Sequence, residues 1–179
     1  MKNPFKSLLL FSILTLSISI VRGQSTGEAY TRAKELYDAK NYQAALPLMR
    51  KAAENNHTEA QIYLGVMYEN GYGTTVDVYE AVKWFRKSAE QGYHWGQHNL
   101  GIMYRDGKGV KRDFSLAIYY FQKAAEQNNE NAFASLGHMI ENGQGITKNF
   151  HEAISLYQKS ARLGYKWAQD SLTTLGYSW

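Results

Sequence analysis

His94 and His98 stand one helical turn apart in the stretch HWGQHNLGIMYRDG. That spacing lets two imidazoles on one helix face share a metal ion, but a zinc site also needs a third protein ligand, and none is evident nearby. Asp77, Asp113 and Asn149 recur at intervals of thirty-six residues. Carboxylates can act as general acids or bases, yet each of these residues directly precedes a helical pattern. There its side-chain oxygen is better used to accept hydrogen bonds from free backbone N–H groups. The other routes to catalysis lack their parts. The chain has no cysteine nucleophile. It has no Gly-x-Ser-x-Gly elbow, no Ser-x-x-Lys and no His-Glu-x-x-His. Its glycine pairs join helix to helix, whereas a phosphate-cradling loop joins strand to helix. The residues that remain suit binding. Trp95, His98, Ile102 and Arg105 follow one another at steps of three, four and three, which places them on one stripe of one helix.

The elements that carry this stripe are repeated. LGVMYENGYGT starts at Leu64, LGIMYRDGKGV at Leu100 and LGHMIENGQGI at Leu136. The period divides the middle of the chain into units 58–93, 94–129 and 130–165, each read as helix, turn, helix, and such units stack. Leu64, Leu100, Leu136 and Leu172 share one core register, and Met67, Met103, Met139 and Leu175 share another. The second helices bury Ala81, Trp84, Phe85 and Ala89 and their counterparts Ala117, Tyr120, Phe121 and Ala125, then Ala153, Leu156, Tyr157 and Ala161. Gly65, Gly101 and Gly137 follow the core leucines, where a missing side chain admits the partner helix. Gly71, Gly107 and Gly143 end the first helices in the left-handed conformation. Gly109 and its counterparts two residues on turn the loop back at the surface, so Gly101→Val is expected to destabilise far more than Gly109→Ala. Asp77 with Glu80, and Asn149 with Glu152, have the spacing of capping boxes.

The ends depart from the pattern. Residues 24–57 hold a helix pair with a shorter turn, and Pro47 is expected to perturb its second helix. Residues 166–179 supply only a first helix, a cap for the stack. Residues 1–23 read as a secretory signal peptide: lysines in MKNPFK, the apolar run SLLLFSILTLSISIV, then short residues before a cut after Gly23. The run falls short of the roughly 20 residues that span a bilayer, so the mature chain has no membrane span and is secreted or periplasmic. Cleavage removes Lys2, Lys6 and Arg22 and no acid, so the formal charge of +4 falls close to balance. A nucleic-acid face needs clustered positive charge, and none remains. With no cysteine to form disulfides, stability rests on packing, which 14 tyrosines, seven phenylalanines and four tryptophans supply.

The series Ala60, Leu64, Gly65, Tyr68, Gly71, Gly73, Asp77, Ala81, Trp84 and Ala89 resembles the Sel-1-like repeat. The second unit matches with Gly96 and Tyr120, and the third departs at Ile140, Asn149 and Leu156. Residues 27–57 look more like the related tetratricopeptide repeat. The resemblance implies an all-α fold, a right-handed α/α solenoid that acts as a non-catalytic adaptor without a cofactor or metal. Some cysteine-rich members of the family bind β-lactams through disulfide-linked helix pairs; the absence of cysteine here argues against that alternative. A structural homo-oligomer, with Tyr177 and Trp179 as contacts, is the other.

Core registers repeat their chemistry from unit to unit, whereas the stripe does not. Its members are Glu59, Ile62, Val66 and Glu69, then Trp95, His98, Ile102 and Arg105, then Asn131, Ala134, His138 and Glu141, then Trp167 and Asp170. Constant positions suit stacking, and varied ones suit an individual ligand. In a solenoid the first helices line the concave face, and Trp and Arg are favoured anchors for protein partners. The expected binding residues for a protein or peptide are therefore Trp95, His98, Ile102, Arg105, Asn131, His138, Trp167 and Asp170. The competing reading packs Trp95 and Trp167 between units.

Overall fold

The computed structural model describes residues 26–179, so the proposed signal peptide and its cleavage point lie outside the described residues. Among those residues the chain forms nine helices and no strand. Helix α1 covers 26–38. It is followed by α2 (Tyr42–Glu54), α3 (Thr58–Asn70), α4 (Val78–Glu90), α5 (His94–Asp106), α6 (Phe114–Ala125), α7 (Glu130–Asn142), α8 (Phe150–Arg162) and α9 (Lys166–Thr174). Each of α2–α8 packs on the helix that follows it, and α1 joins α2 and α3 through Ala29 and Ala33. The chain is an all-α solenoid. Among the described residues no helix is long and apolar enough to cross a membrane.

The repeated registers build the core. Leu64, Leu100 and Leu172 are fully buried and Leu136 nearly so, as are Met67, Met103 and Met139. Leu175, the C-cap of α9, is the exception, 47% exposed. A Cβ on Gly101 would lie 2.6 Å from the Phe121 ring, and one on Gly137 2.8 Å from Tyr157; Gly65 meets Phe85 in the same way. These glycines admit the aromatic residue of the second helix in their own unit.

The loops are held at both ends. Gly107 adopts φ +70°, and the Met103 carbonyl accepts both its N–H and that of Lys108, so the last turn of α5 is closed by a left-handed residue. Asp77 accepts from Tyr79 and Glu80, Asp113 from Leu116, and Asn149 from Glu152, as the spacing predicts. The reciprocal half of the capping boxes is not formed. The Asp77 N–H donates instead to the Tyr68 carbonyl at 2.8 Å, and Asp113 does the same with Tyr104. Glu80 is thereby released to pair with Lys83 at 2.8 Å, while Glu152 accepts from the Asn149 side-chain amide at 3.3 Å.

Two other expectations are corrected. Helix α2 runs unbroken through Pro47. Proline removes one N–H, the donor to the Gln43 carbonyl. Both residues lie on the exposed side of the helix. Gly109, read as a surface-loop residue, is wedged between units: its φ is +64°, and a Cβ there would lie 2.5 Å from the Val78 carbonyl oxygen at the start of α4. Gly73 stands in the same relation to Tyr42, and Gly145 to Phe114. The second loop glycine is therefore a stacking contact with the preceding unit.

A paired exchange of side chains also fixes the helix pairs. Gln91 donates to Gln61 at 2.8 Å and Gln127 to Gln97 at 2.9 Å, thirty residues apart in each case. The third unit has Phe133 and Leu163 at these places. Gln61 and Gln97 are buried and are matched by the exposed Gln91 and Gln127; an apolar pair at these places likewise leaves no buried polar group unmatched.

Candidate functional site

The first helices form one face of the stack, and two grooves run along it. The C-terminal groove, about 470 Å³ in volume, lies between α5, α7 and the start of α9. It gathers six of the eight expected residues: His98, Ile102, Arg105, Asn131, His138 and Trp167. Ser135, Gln144 and Tyr165 complete its polar wall.

The groove is polar where the core is not. His98 is 7% exposed. Its Nε2 lies 3.2 Å from the Ser135 hydroxyl, and its ring packs 5.6 Å from Phe121. Burial, helped by the nearby Arg105 guanidinium, lowers its pKa to about 4, so the ring is neutral near pH 7. Its Nδ1 has no hydrogen-bond partner, and the same holds for Asn131 Oδ1, His138 Nδ1 and Gln144 Oε1. Among the described residues five buried side-chain polar atoms lack a partner, and four of them line this groove. Buried polar groups are normally paired, because leaving one unmatched costs about 1–3 kcal/mol.

The expected anchors are not equivalent. Arg105 already grips Asp106 through two hydrogen bonds of 2.7 and 3.1 Å, an attachment that holds the Asp106 carboxyl below its ordinary range. Trp167 is 46% exposed and packs T-shaped against Tyr157 at 5.5 Å, with Tyr165 6.1 Å away. His98 is corrected from an exposed anchor to a buried wall of the groove. Its register holds Ile62 and Ala134 in the flanking units, positions that pack between first helices. Asp170 lies outside the groove, paired with Lys166 at 2.6 Å on an exposed turn. Glu141 accepts the Tyr157 hydroxyl at 2.7 Å. Burial together with this bond holds that phenol well above its usual range.

His94 and His98 point to different partners. The His94 Nδ1 meets the Asn129 amide at 2.8 Å, at the N-cap of α7, whereas His98 meets Ser135 further along the same helix. Among the described residues no group of three or more histidine, aspartate or glutamate side chains is placed to hold a metal ion.

Trp95 belongs to the second groove, about 420 Å³, between α1, α3 and the start of α5. Its half-buried ring stands perpendicular to His98 at 6.2 Å, on the divide between the grooves. Glu59, Ile62 and Val66, the stripe positions of the first unit, line this second groove. So do four tyrosines that the stripe did not include: Tyr30, Tyr37, Tyr63 and Tyr93. The signal for them was present in α1. Tyr30 and Tyr37 lie seven residues apart around buried Ala33, which places both on one helix face.

Comparison with known proteins agrees with this architecture. The Sel1 repeat model matches residues 30–57, 58–93, 96–129 and 134–165. Its first match covers the pair likened above to a tetratricopeptide repeat, which packs through the same small and methionine side chains, Ala45, Met49 and Ala52. Among solved structures, the chain is similar to a Sel1 repeat protein from Oxalobacter formigenes, with 37% identity and a TM-score of 0.75 over 82% of this chain and 61% of that one. It is also similar to a protective antigen of uropathogenic Escherichia coli with an SLR fold, with 36% identity and a TM-score of 0.75 over 85% of this chain and 34% of that one. A cysteine-rich protein B of Helicobacter pylori matches at 27% identity and a TM-score of 0.55, over 78% of this chain and 96% of that one. The chain thus spans less than two thirds of the first two relatives. No curated protein matches it. With four matched repeats covering most of its length, the chain belongs to the Sel1 repeat family.

Proposed function

We propose that this Sel1 repeat protein is an exported, non-catalytic adaptor that binds an extended segment of a protein partner on its first-helix face, seated in the groove between α5, α7 and α9. One observation carries the reading: four of the side chains that line one groove, His98, Asn131, His138 and Gln144, each hold a buried polar atom without a hydrogen-bond partner. A peptide main chain offers N–H donors and carbonyl acceptors in alternation, a mixture that two amide oxygens and two imidazole nitrogens can pair with. Trp167 and Ile102 provide apolar contact beside them. The test is the double variant Asn131→Ala with Trp167→Ala. Affinity for the partner captured from the producing cell's envelope should fall by at least about 2 kcal/mol, the size of a hot-spot loss. Helicity should stay at the wild-type level. Unchanged capture would refute the assignment.

Export rests on residues 1–23, whose charged, apolar and short-residue segments follow the signal-peptide order. The secreted or periplasmic form is expected to begin at Gln24, as read by intact-mass analysis. Recovery of a chain that keeps Met1 would contradict export by cleavage.

A further inference from the structure

We infer that the groove between α1, α3 and α5 receives an arginine side chain of a partner, its guanidinium held against tyrosine rings and the Glu59 carboxylate. The site is separate from the peptide groove and does not depend on it.

Glu59 is half-buried in the first turn of α3, and among the described residues no basic side chain pairs with it. Its neighbours are phenols. Tyr93 donates to it at 3.3 Å, and burial together with the charge of Glu59 pushes that hydroxyl up to about 12. Tyr30 is raised further still, by burial and its own hydrogen bond to Glu59. The carboxylate is therefore ringed by donors that stay protonated, while its charge is left without a counter-ion. Lys34, a cation that lines the groove, is bound to Asp38 at 2.6 Å and adds no net charge.

The walls favour a cation as well. Tyr37 and Tyr63 meet edge to face at 4.9 Å, and Tyr30 lies 6.2 Å from Tyr63. Aromatic faces attract positive charge, and the effect grows on desolvation. The Lys34 ammonium, 5.7 Å from the Tyr63 ring centre, already shows that a face in this groove accepts one. Arginine suits the space better than lysine, because its planar, weakly hydrated guanidinium stacks on rings while also donating to a carboxylate.

The probe is N-acetyl-argininamide, titrated into the full ¹⁵N-labelled chain, with the isosteric N-acetyl-citrullinamide as the neutral control. The Trp95 indole signal, from the wall of this groove, reports binding here, and the Trp167 signal reports the other groove. The arginine probe should shift Trp95 saturably and bind about tenfold more tightly than the citrulline probe. Glu59→Gln should reduce that preference to about twofold or less without changing the melting temperature. Equal binding of the two probes, a shift confined to Trp167, or a folded Glu59→Gln protein that keeps its preference would overturn the proposal. The comparison of the two probes uses the unaltered protein, so it decides the matter even where the variant does not fold.

Discussion

Gly101→Val is expected to lower stability by about 3 kcal/mol, at the upper end of the overpacking range. A Cβ alone would sit 2.6 Å from Cε1 and 2.7 Å from Cδ1 of Phe121, with the Ala117 carbonyl 3.3 Å away. Phe121 is itself fully buried and cannot swing into solvent. The His98 ring packs on its other side, so a displaced Phe121 also deforms the binding groove. The small gain in helix propensity from replacing glycine, a few tenths of a kcal/mol, does not offset this. In a domain of this size the change corresponds to a fall in melting temperature of roughly 6–12 °C, measurable by circular dichroism. A melt within about 2 °C of wild type would show that α5 and α6 are not in close contact at this point.

Gly109→Ala is expected to cost about as much. Two terms add. An alanine held at the glycine's φ of +64° occupies the left-handed region at a cost of about 1–2 kcal/mol. Its methyl group would also press on the Val78 backbone, with the carbonyl oxygen at 2.5 Å and the carbonyl carbon at 2.9 Å. Backbone at the start of a capped helix cannot move aside as a flexible side chain can. Gly92→Ala isolates the first term, since Gly92 has φ +81° and nothing within 4 Å of a Cβ. It should lose only about 1–2 kcal/mol. If the two variants melt together, Gly109 is not a contact between units.

These two glycines mark how far the sequence can be read. The role of Gly101 was legible because it recurs three times beside a core leucine, and the aromatic residue it faces recurs as well. Local signals of the same kind located the left-handed helix ends and the residues that cap the second helices. Contacts between units were less legible. Nothing in the spacing of Gly109 distinguishes a free loop from one wedged on Val78, because the contact joins residues of different units and depends on how they stack. The capping box at Asp77 failed for a local reason: the Tyr68 carbonyl of the same unit takes the cap N–H.

The face was legible as a stripe but not as two grooves. Variation among Ile62, His98, Ala134 and Asp170 suggested an exposed ligand surface, whereas that register buries His98 and Ala134. Asp170 is exposed on α9, where it pairs with Lys166. The tyrosines of α1 escaped because the first pair lacks the Gly-x-Gly loop by which the other units were aligned.

The most direct test of the central claim, that the groove between α5, α7 and α9 holds the partner, is site-specific photo-crosslinking in the producing cell. A benzophenone amino acid replaces Trp167, an exposed aromatic residue at the groove edge. In a second strain it replaces Tyr79, which is 74% exposed on second helix α4. A discrete crosslinked product is expected from position 167 that disappears on Asn131→Ala, and none from position 79. Crosslinking at 79 that equals or exceeds that at 167, or no product at 167, would contradict the claim.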